Sequence, residues 1–467
     1  AWLGAALLPP MPLFGKQPAA DSPAPPRINY NVLDYGATGD GTTPDHAAFQ
    51  RAVDAAAADA SAEQPVRVLV PGGRRYRVGR IALASHLDFH LAADAELFAS
   101  EDPADYGDER ALLTARDAVG LRLSGTGRIN GHARDFMTHY DEAGEWWVPR
   151  EFRPRLAVLH RCQDLAINDV TFLDAPQWTL HLVGCRNVLV DGVTIRNQLD
   201  VPNCDGIDPD HCRHVEIRRC HIECGDDAIV VKATRAYAEL GGSHHIHVHD
   251  CVLETQDSGL KIGTETVRDI TDVTFERCEI RRSCRACTIQ LPDEGNVRGV
   301  VFRDIMFEAS YHAAPWWGRG EAISLTAIPR APDTRVGQIS EVLIANVRGR
   351  AENSVRISGT PESRISQVRC VDLDLTFERW TNYPGAVWDN RPTTAYPALE
   401  SHATAAFHVR YADHVELRDC RVRWGKPCPD SFGHALEAHD VTHLTYPGFT
   451  GEAAHPDRDA AIVISVD

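Results

Sequence analysis

No run of about 20 apolar residues occurs in the 467-residue chain, so no segment reads as a bilayer-spanning helix. Basic residues are the minority. Lys+Arg number 48 against Asp+Glu 66, a formal net charge of −18, which disfavours nonspecific nucleic-acid binding and attraction to anionic membranes. The bias of a disordered chain is also missing, since 43% of residues are hydrophobic and 24% charged, near the globular average. Helical i, i+3, i+4 periodicity is confined to one short stretch, which excludes a helical repeat. An even, disulfide-ready set of cysteines is lacking too: the chain has 13.

What is present is a repeat. The pattern apolar-x-apolar-x-x-apolar-x-apolar, often opened by Asn, Asp or His, starts at Leu165, Val188, Val215, Ile246, Val273 and Val300. Further copies start at Val342, Val368, Val415 and, weakly, Leu444. Two short strands with period-2 alternation and a two-residue corner, repeated at this interval, describe a β-solenoid whose units bury their inward residues only by stacking. The expected fold is all-β, a right-handed parallel β-helix. Length alone would suggest about three domains, but repetitive all-β folds run longer as one unit.

The cysteines fit this frame as buried free thiols. Cys162, Cys185 and Cys212 precede the first apolar position of their repeats, and Cys220, Cys251 and Cys278 share one inward position. Cys284-x-x-Cys287 has no second pair at zinc-site spacing, so it reads as structural. His245, His247 and His249 alternate with inward Ile246 and Val248 and are expected to form a solvated or hydrogen-bonded outer row.

Residues 28–450 are expected to form one β-helix domain, with a cap at about 28–60 and a C-terminal tail at 451–467. In the cap, Gly36, Gly39 and Gly41 supply turns before an Ala-rich amphipathic helix at about Asp45 to Ala58, which covers the open end of the solenoid. Before it, the apolar stretch Trp2 to Phe14 and the Pro/Ala/Ser segment Gln17 to Pro26 read either as the remnant of an export signal or as an N-terminal arm.

Three carboxylates carry the candidate chemistry: Asp205 in Asn203-Cys-Asp-Gly-Ile-Asp208, and Asp226 and Asp227 in Gly225-Asp-Asp. Asp205 and Asp226 stand 21 residues apart, about one short coil, which places them on adjacent coils a few ångströms apart. Clustered carboxylates raise one another's proton affinity, so one acid stays protonated while another stays ionised, as glycoside hydrolysis requires. An acidic turn or a Ca²⁺ site is the alternative from spacing alone.

The chain resembles glycoside hydrolase family 28, the polygalacturonase family, over about residues 28–325. The resemblance rests on Tyr35-Gly-Ala-Thr-Gly-Asp-Gly-Thr, Pro71-Gly-Gly, Arg153-Pro-Arg-Leu, Trp178-Thr-Leu-His-Leu, Asn203-Cys-Asp-Gly and Gly225-Asp-Asp. It implies Asp226 as general acid and Asp205 and Asp227 as the pair that activates water, with inversion at the anomeric carbon. Inversion implies acid and base carboxyls about 6.5–9.5 Å apart.

Two departures from the family pattern bear on substrate. The family's Gly-His-Gly aligns with Gln256-Asp257-Ser258, and its Arg-Ile-Lys, whose cations bind the galacturonate carboxylate, aligns with Thr288-Ile289-Gln290. Loss of both cations removes a carboxylate's partners, whereas hydroxyl and amide groups suit a neutral sugar. Lys261 or Arg285 could replace them, which leaves galacturonan or rhamnogalacturonan hydrolysis as the alternative. Further substrate-binding candidates are Asn203, Asp257, Lys261, Thr288, Gln290, Trp316 and Trp317, with Trp146-Trp147 as a second aromatic pair. Glu265, Tyr311, His312 and Glu321 are unranked loop or strand-end candidates, and Lys232 is expected to support the acids.

The expected activity is an inverting, exo-acting glycosidase on an oligosaccharide or polysaccharide, secreted or periplasmic, with no metal or other cofactor implied. Long loops at Trp316–Val336 and Thr381–Thr404 would wall one end of the groove. A β-helix lyase, an intramolecular glycosyltransferase and a non-catalytic glycan-binding β-helix are the rival readings.

Overall fold

The structure is a computed structural model that describes residues 28–426 and 428–465. The expected export remnant or arm at 1–27 lies outside the described residues. Strand Asn29–Asn31, a 3₁₀ turn at Val32–Tyr35 and strand Asp40–Pro44 lead into the helix His46–Asp59. Asp45, just before the helix, accepts hydrogen bonds from the Thr38 and Gly39 amides at 2.7 and 3.1 Å, tying the glycine-rich turn to the helix start. The helix buries Ala48, Phe49, Ala52, Val53 and Ala56, and Phe49 packs edge-on against Tyr76 at 5.2 Å and tilted against Phe89 at 6.3 Å. This small-residue face lets the helix lie close over the first coil, as a cap must.

Beyond the cap the chain winds as a parallel β-helix. Each repeat start pairs in parallel register with the next: Leu165 with Val188, Val188 with Val215, Val215 with Ile246 and Ile246 with Val273. Val300, Val342, Val368, Val415 and Leu444 continue the column. The corner inside each repeat has a left-handed backbone at one position, occupied by Asp169, Gly192, Arg219, Asp250, Arg277, Asp304, Asn346, Asp372 and Asp419. A second left-handed position opens the repeats, at Asp164, Asn187, His214, His245, Asp272 and His414. Asp, Asn and Gly tolerate that conformation best, which is why polar residues punctuate the apolar pattern.

All 13 cysteines are free, and the six predicted column positions are buried. Cys287 points into the core while Cys284 lies beside Gly318 outside it, so the pair shares no site. The outer histidines are hydrogen-bonded or ion-paired, His247 to Glu276 at 3.1 Å, His249 to Glu216 at 3.1 Å and His245 to Asp272 at 3.3 Å. The strand Ile462–Ser465 pairs in parallel with Leu436–Thr445, so coil stacking continues past residue 450.

Two antiparallel hairpins stand off the helix and matter for the site. One joins Met137–Asp141 to Trp146–Pro149, and the other joins Val387–Asp389 to Leu399–Ser401. The aromatic pair Trp146 and Trp147 thus lies on a strand of the first hairpin.

Candidate active site

One sheet of the helix carries strands Ile207–Asp210, Ile229–Ala233, Ser258–Thr266, Arg285–Gln290 and Glu321–Thr326 on successive coils. The bends just before the first two strands hold the acids. Both bends use glycine because the neighbouring coil's backbone lies against them. A Cβ on Gly206 would meet the Ala228 carbonyl oxygen at 2.3 Å, and one on Gly225 the Val201 carbonyl oxygen at 2.2 Å. The Gly206 amide donates to the Asp227 carbonyl at 2.9 Å, locking the two bends in register.

Asp205, Asp226 and Asp227 each place an oxygen within 4.8 Å of the others. This is the spacing of their nearest oxygens, and consecutive residues and adjoining coils bring it about. Asp205 and Asp227 are buried, whereas Asp226 is the half-exposed member facing the opening. Asp226 accepts from the Asn203 amide at 3.1 Å and from the Asp227 amide at 2.9 Å. Asn203 itself sits at φ +59 and is held by Arg153, whose guanidinium donates to its side-chain oxygen at 3.0 Å. Asn203 thus positions the acid.

Two of the chain's lysines (Lys16, Lys232, Lys261 and Lys426) enter this cluster, in a protein that otherwise uses arginine. Lys261 donates to Asp227 at 2.8 Å. Lys232 lies 3.7 Å from both Asp205 and Asp208, 3.4 Å from Glu265, and 4.7 Å over the Trp178 ring. The two ammonium groups supply the positive charge that a Ca²⁺ ion would otherwise bring.

Burial, then the charges of Asp205 and Asp227, push Asp226 up to about 8. Burial, followed by Asp208, lifts Asp205 well above the ordinary carboxylate range. Burial likewise brings Asp208 and Asp257 to about 8, with Asp227 adding to both and Lys232 or Lys261 opposing. Neighbouring acids therefore share few negative charges at neutral pH, and the accessible Asp226 retains a proton it can donate.

A cavity of about 300 Å³ opens over the cluster, lined by the three acids, Asn203, Lys232, Asp257, Lys261, Glu265 and the indoles of Trp146, Trp178, Trp316 and Trp317. Of the predicted substrate-binding residues, Asn203, Asp257, Lys261, Trp316 and Trp317 line it. Thr288 and Gln290 do not. Gln290 donates to the Arg391 carbonyl and accepts from Arg285, so it holds the Asp389–Arg391 loop. Thr288 lies next to Lys261 in register, with its hydroxyl buried and without a partner among the described residues. Arg285 is no free cation either, being buried, 3.5 Å from Glu321 and hydrogen-bonded to the Asp389 carbonyl at 2.9 Å. Tyr311 and His312 are buried away from this cavity.

Loops close over the site from both sides. Trp146 meets Trp316 edge-on at 5.7 Å, and the Tyr383 hydroxyl donates to Glu145 at 2.6 Å. Trp147 anchors its hairpin by donating to Asp200 at 3.2 Å. Sequence reasoning missed Trp178 and Asp208 as site residues. Both stood inside quoted motifs, Asp208 three residues after Asp205, and that proximity was the available signal.

The signature described as Glycosyl hydrolases family 28 matches residues 60–382, and one described as Rhamnogalacturonase A/epimerase, pectate lyase-like, matches residues 29–89. A probable polygalacturonase of Vitis vinifera is 34% identical over 268 residues, 53% of this chain and 53% of its own length. A probable polygalacturonase of Arabidopsis thaliana is 26% identical over 290 residues, 60% and 58% of the two chains. The chain spans about half the length of the curated relatives it matches. In fold, it is similar to a hyperthermoactive exopolygalacturonase of Thermotoga maritima (TM-score 0.68, 20% identity, 86% of this chain and 93% of that one). It is also similar to a surface adhesin of Streptococcus pneumoniae (TM-score 0.52, 14% identity, 93% and 99%). Since the family signature covers well over half of the chain, the protein belongs to glycosyl hydrolases family 28.

Proposed function

We propose that the protein hydrolyses a pectin-type polysaccharide or oligosaccharide, with Asp226 as general acid and Asp205 and Asp227 activating the water. The observation that carries this reading is the division of the trio. Asp226 faces the cavity with its proton affinity raised, while Asp227 is ion-paired to Lys261 at 2.8 Å. Asp226 would protonate the leaving glycosidic oxygen; Asp227, ion-paired to Lys261, would accept the water's proton, and Asp205, whose Oδ1 is buried without a partner among the described residues, would hold that water in place. The polygalacturonase names of the relatives support a pectin-type substrate.

We further propose inversion, exo action and a neutral sugar at the cleavage subsite. The anomeric configuration of the first product, followed by NMR, tests inversion, and retention would make one of the two basal carboxylates a nucleophile. Exo action draws support from the Trp146–Trp316 and Tyr383–Glu145 contacts, which turn a groove into a pocket; early medium-length products would refute it. The neutral subsite draws support from the cations, since Lys232, Lys261 and Arg285 are each already paired with acids. Because its substrate is a polymer, we place its action in the secreted or periplasmic space, testable by cell fractionation.

Digestion of neutral and uronic oligosaccharides in ¹⁸O water tests the whole reading. Label in a neutral product is expected. Label only in galacturonate products would return a carboxylate to the subsite. Unlabelled product would mean a lyase or intramolecular transferase, and the absence of any product would favour glycan binding alone, as the fold's likeness to an adhesin allows.

A further inference from the structure

Near the far end of the helix, the sheet that carries the acids holds a second cluster of donor groups. His408 follows Arg356 in the column, Glu437 lies in register with His408 on the next coil, and His439 follows Glu437 by two residues on the same face. One nitrogen or carboxylate oxygen from each of His408, Glu437 and His439 lies within 4.8 Å of the others. We propose that these three residues bind a divalent transition ion of the zinc type and so tie the last coils together.

The donor set suits such an ion. Two imidazoles and a carboxylate are zinc ligands with bonds of about 2.0–2.2 Å, and three protein ligands leave a position for water. Neither ring nitrogen of His408 has a hydrogen-bond partner among the described residues, although the residue is 5% exposed. An imidazole this buried ordinarily finds a partner. Burial, then the charge of Arg356, pushes the His408 pKa well below its usual range, which favours the neutral ring with one nitrogen lone pair to offer.

His439 is already oriented. Its Nε2 lies 2.8 Å from Glu437 Oε1 and its Nδ1 2.7 Å from Ser465 Oγ. Metal at Nε2 requires the ring proton on Nδ1, and the Ser465 hydroxyl is placed to accept it. His408, the Glu437–His439 pair and Ser465 belong to three successive coils, the last of them the strand Ile462–Ser465 among the described residues. An ion held by side chains of two adjoining coils would cross-link them in addition to their stacking.

The surrounding cations oppose a dication and weaken the site. Arg356 stacks on Trp388 at 4.4 Å and donates to Asn390 at 2.7 Å, and Arg410 stacks on Tyr411 at 4.8 Å. The carboxylate of Glu437 offsets part of that charge.

The test is calorimetric titration of the full, chelator-treated chain with zinc chloride. One ion per chain is expected, together with a thermal midpoint that rises with zinc and not with magnesium. His408→Asn and His439→Asn should each weaken binding at least tenfold, and Glu437→Gln, at a half-exposed position, serves should a histidine variant misfold. Asp226→Asn should bind zinc as the parent does, which separates this site from the catalytic acids. No bound ion, affinity unchanged in all three site variants, or loss of binding in Asp226→Asn would each overturn the proposal.

Discussion

Two sheets of the same β-helix use the same alternation to opposite ends. In the sheet built from Gln163–Asn168, Arg213–Arg218 and Ser243–His249, inward residues are buried and outward ones remain partly exposed. Its outward charges form solvent-facing pairs, such as His245 with Asp272 at 3.3 Å, whose side chains are 40% and 46% exposed. In the catalytic sheet, strands Ile207–Asp210, Ile229–Ala233 and Arg285–Gln290 are buried at every position. The outward row there is also charged, but the hairpins and loops above it exclude water. Coulomb and desolvation energies grow as effective dielectric falls. The same residue types that decorate one sheet therefore become a proton-storing cluster in the other.

Breaking the catalytic side of this contrast should have the largest effect. Asp226→Asn keeps the shape and removes the donated proton; kcat should fall about 10²–10⁴-fold, measured on whichever oligosaccharide the parent cleaves. A loss below tenfold would assign the acid role elsewhere. Next, Lys261→Met leaves Asp227 without its partner. Breaking a buried pair costs about 3–5 kcal/mol, to be read from denaturant unfolding, and a cost near zero would mean that the pair adds nothing net to stability.

The pH dependence sharpens the comparison further. Asp208, Asp226 and Asp257 are each raised in the folded state from the ordinary carboxylate value of 3.8 to about 8. The folded state thus binds protons that the unfolded state has released, so their stabilisation is complete below about 4 and is lost as pH rises through about 8. The thermal midpoint should fall across that window, and Asp208→Asn should flatten the fall. Activity should decline on the alkaline side as Asp226 ionises, near pH 8. The smallest effect belongs to the open sheet. His245→Gln, which releases Asp272 at the solvent face, should change stability by only about 0–1 kcal/mol.

The architecture was legible because a solenoid repeats local information. Every repeat start from Leu165 to Leu444 pairs with its successor, since each coil meets only its neighbours and apolar spacing fixes the inward face. The acids were legible for the same reason, as a separation of one coil is a spatial adjacency. The surroundings of the acids were not. Gln290 was read as a sugar contact, yet it supports a loop 101 residues away, and Arg285 is held by a carbonyl 104 residues away. No periodicity reports such contacts.

The sequence by itself determined the winding, the left-handed corners and the stacking of Asp205 beneath Asp226 and Asp227, because each follows from period-2 burial and coil length. Only the tertiary structure decided that the Trp146 hairpin meets Trp316, that neighbouring acids claim Lys232, Lys261 and Arg285, and that His408 faces Glu437 and His439. Those outcomes depend on long loops folding back over a finished wall, where chain connectivity no longer dictates which side chains meet.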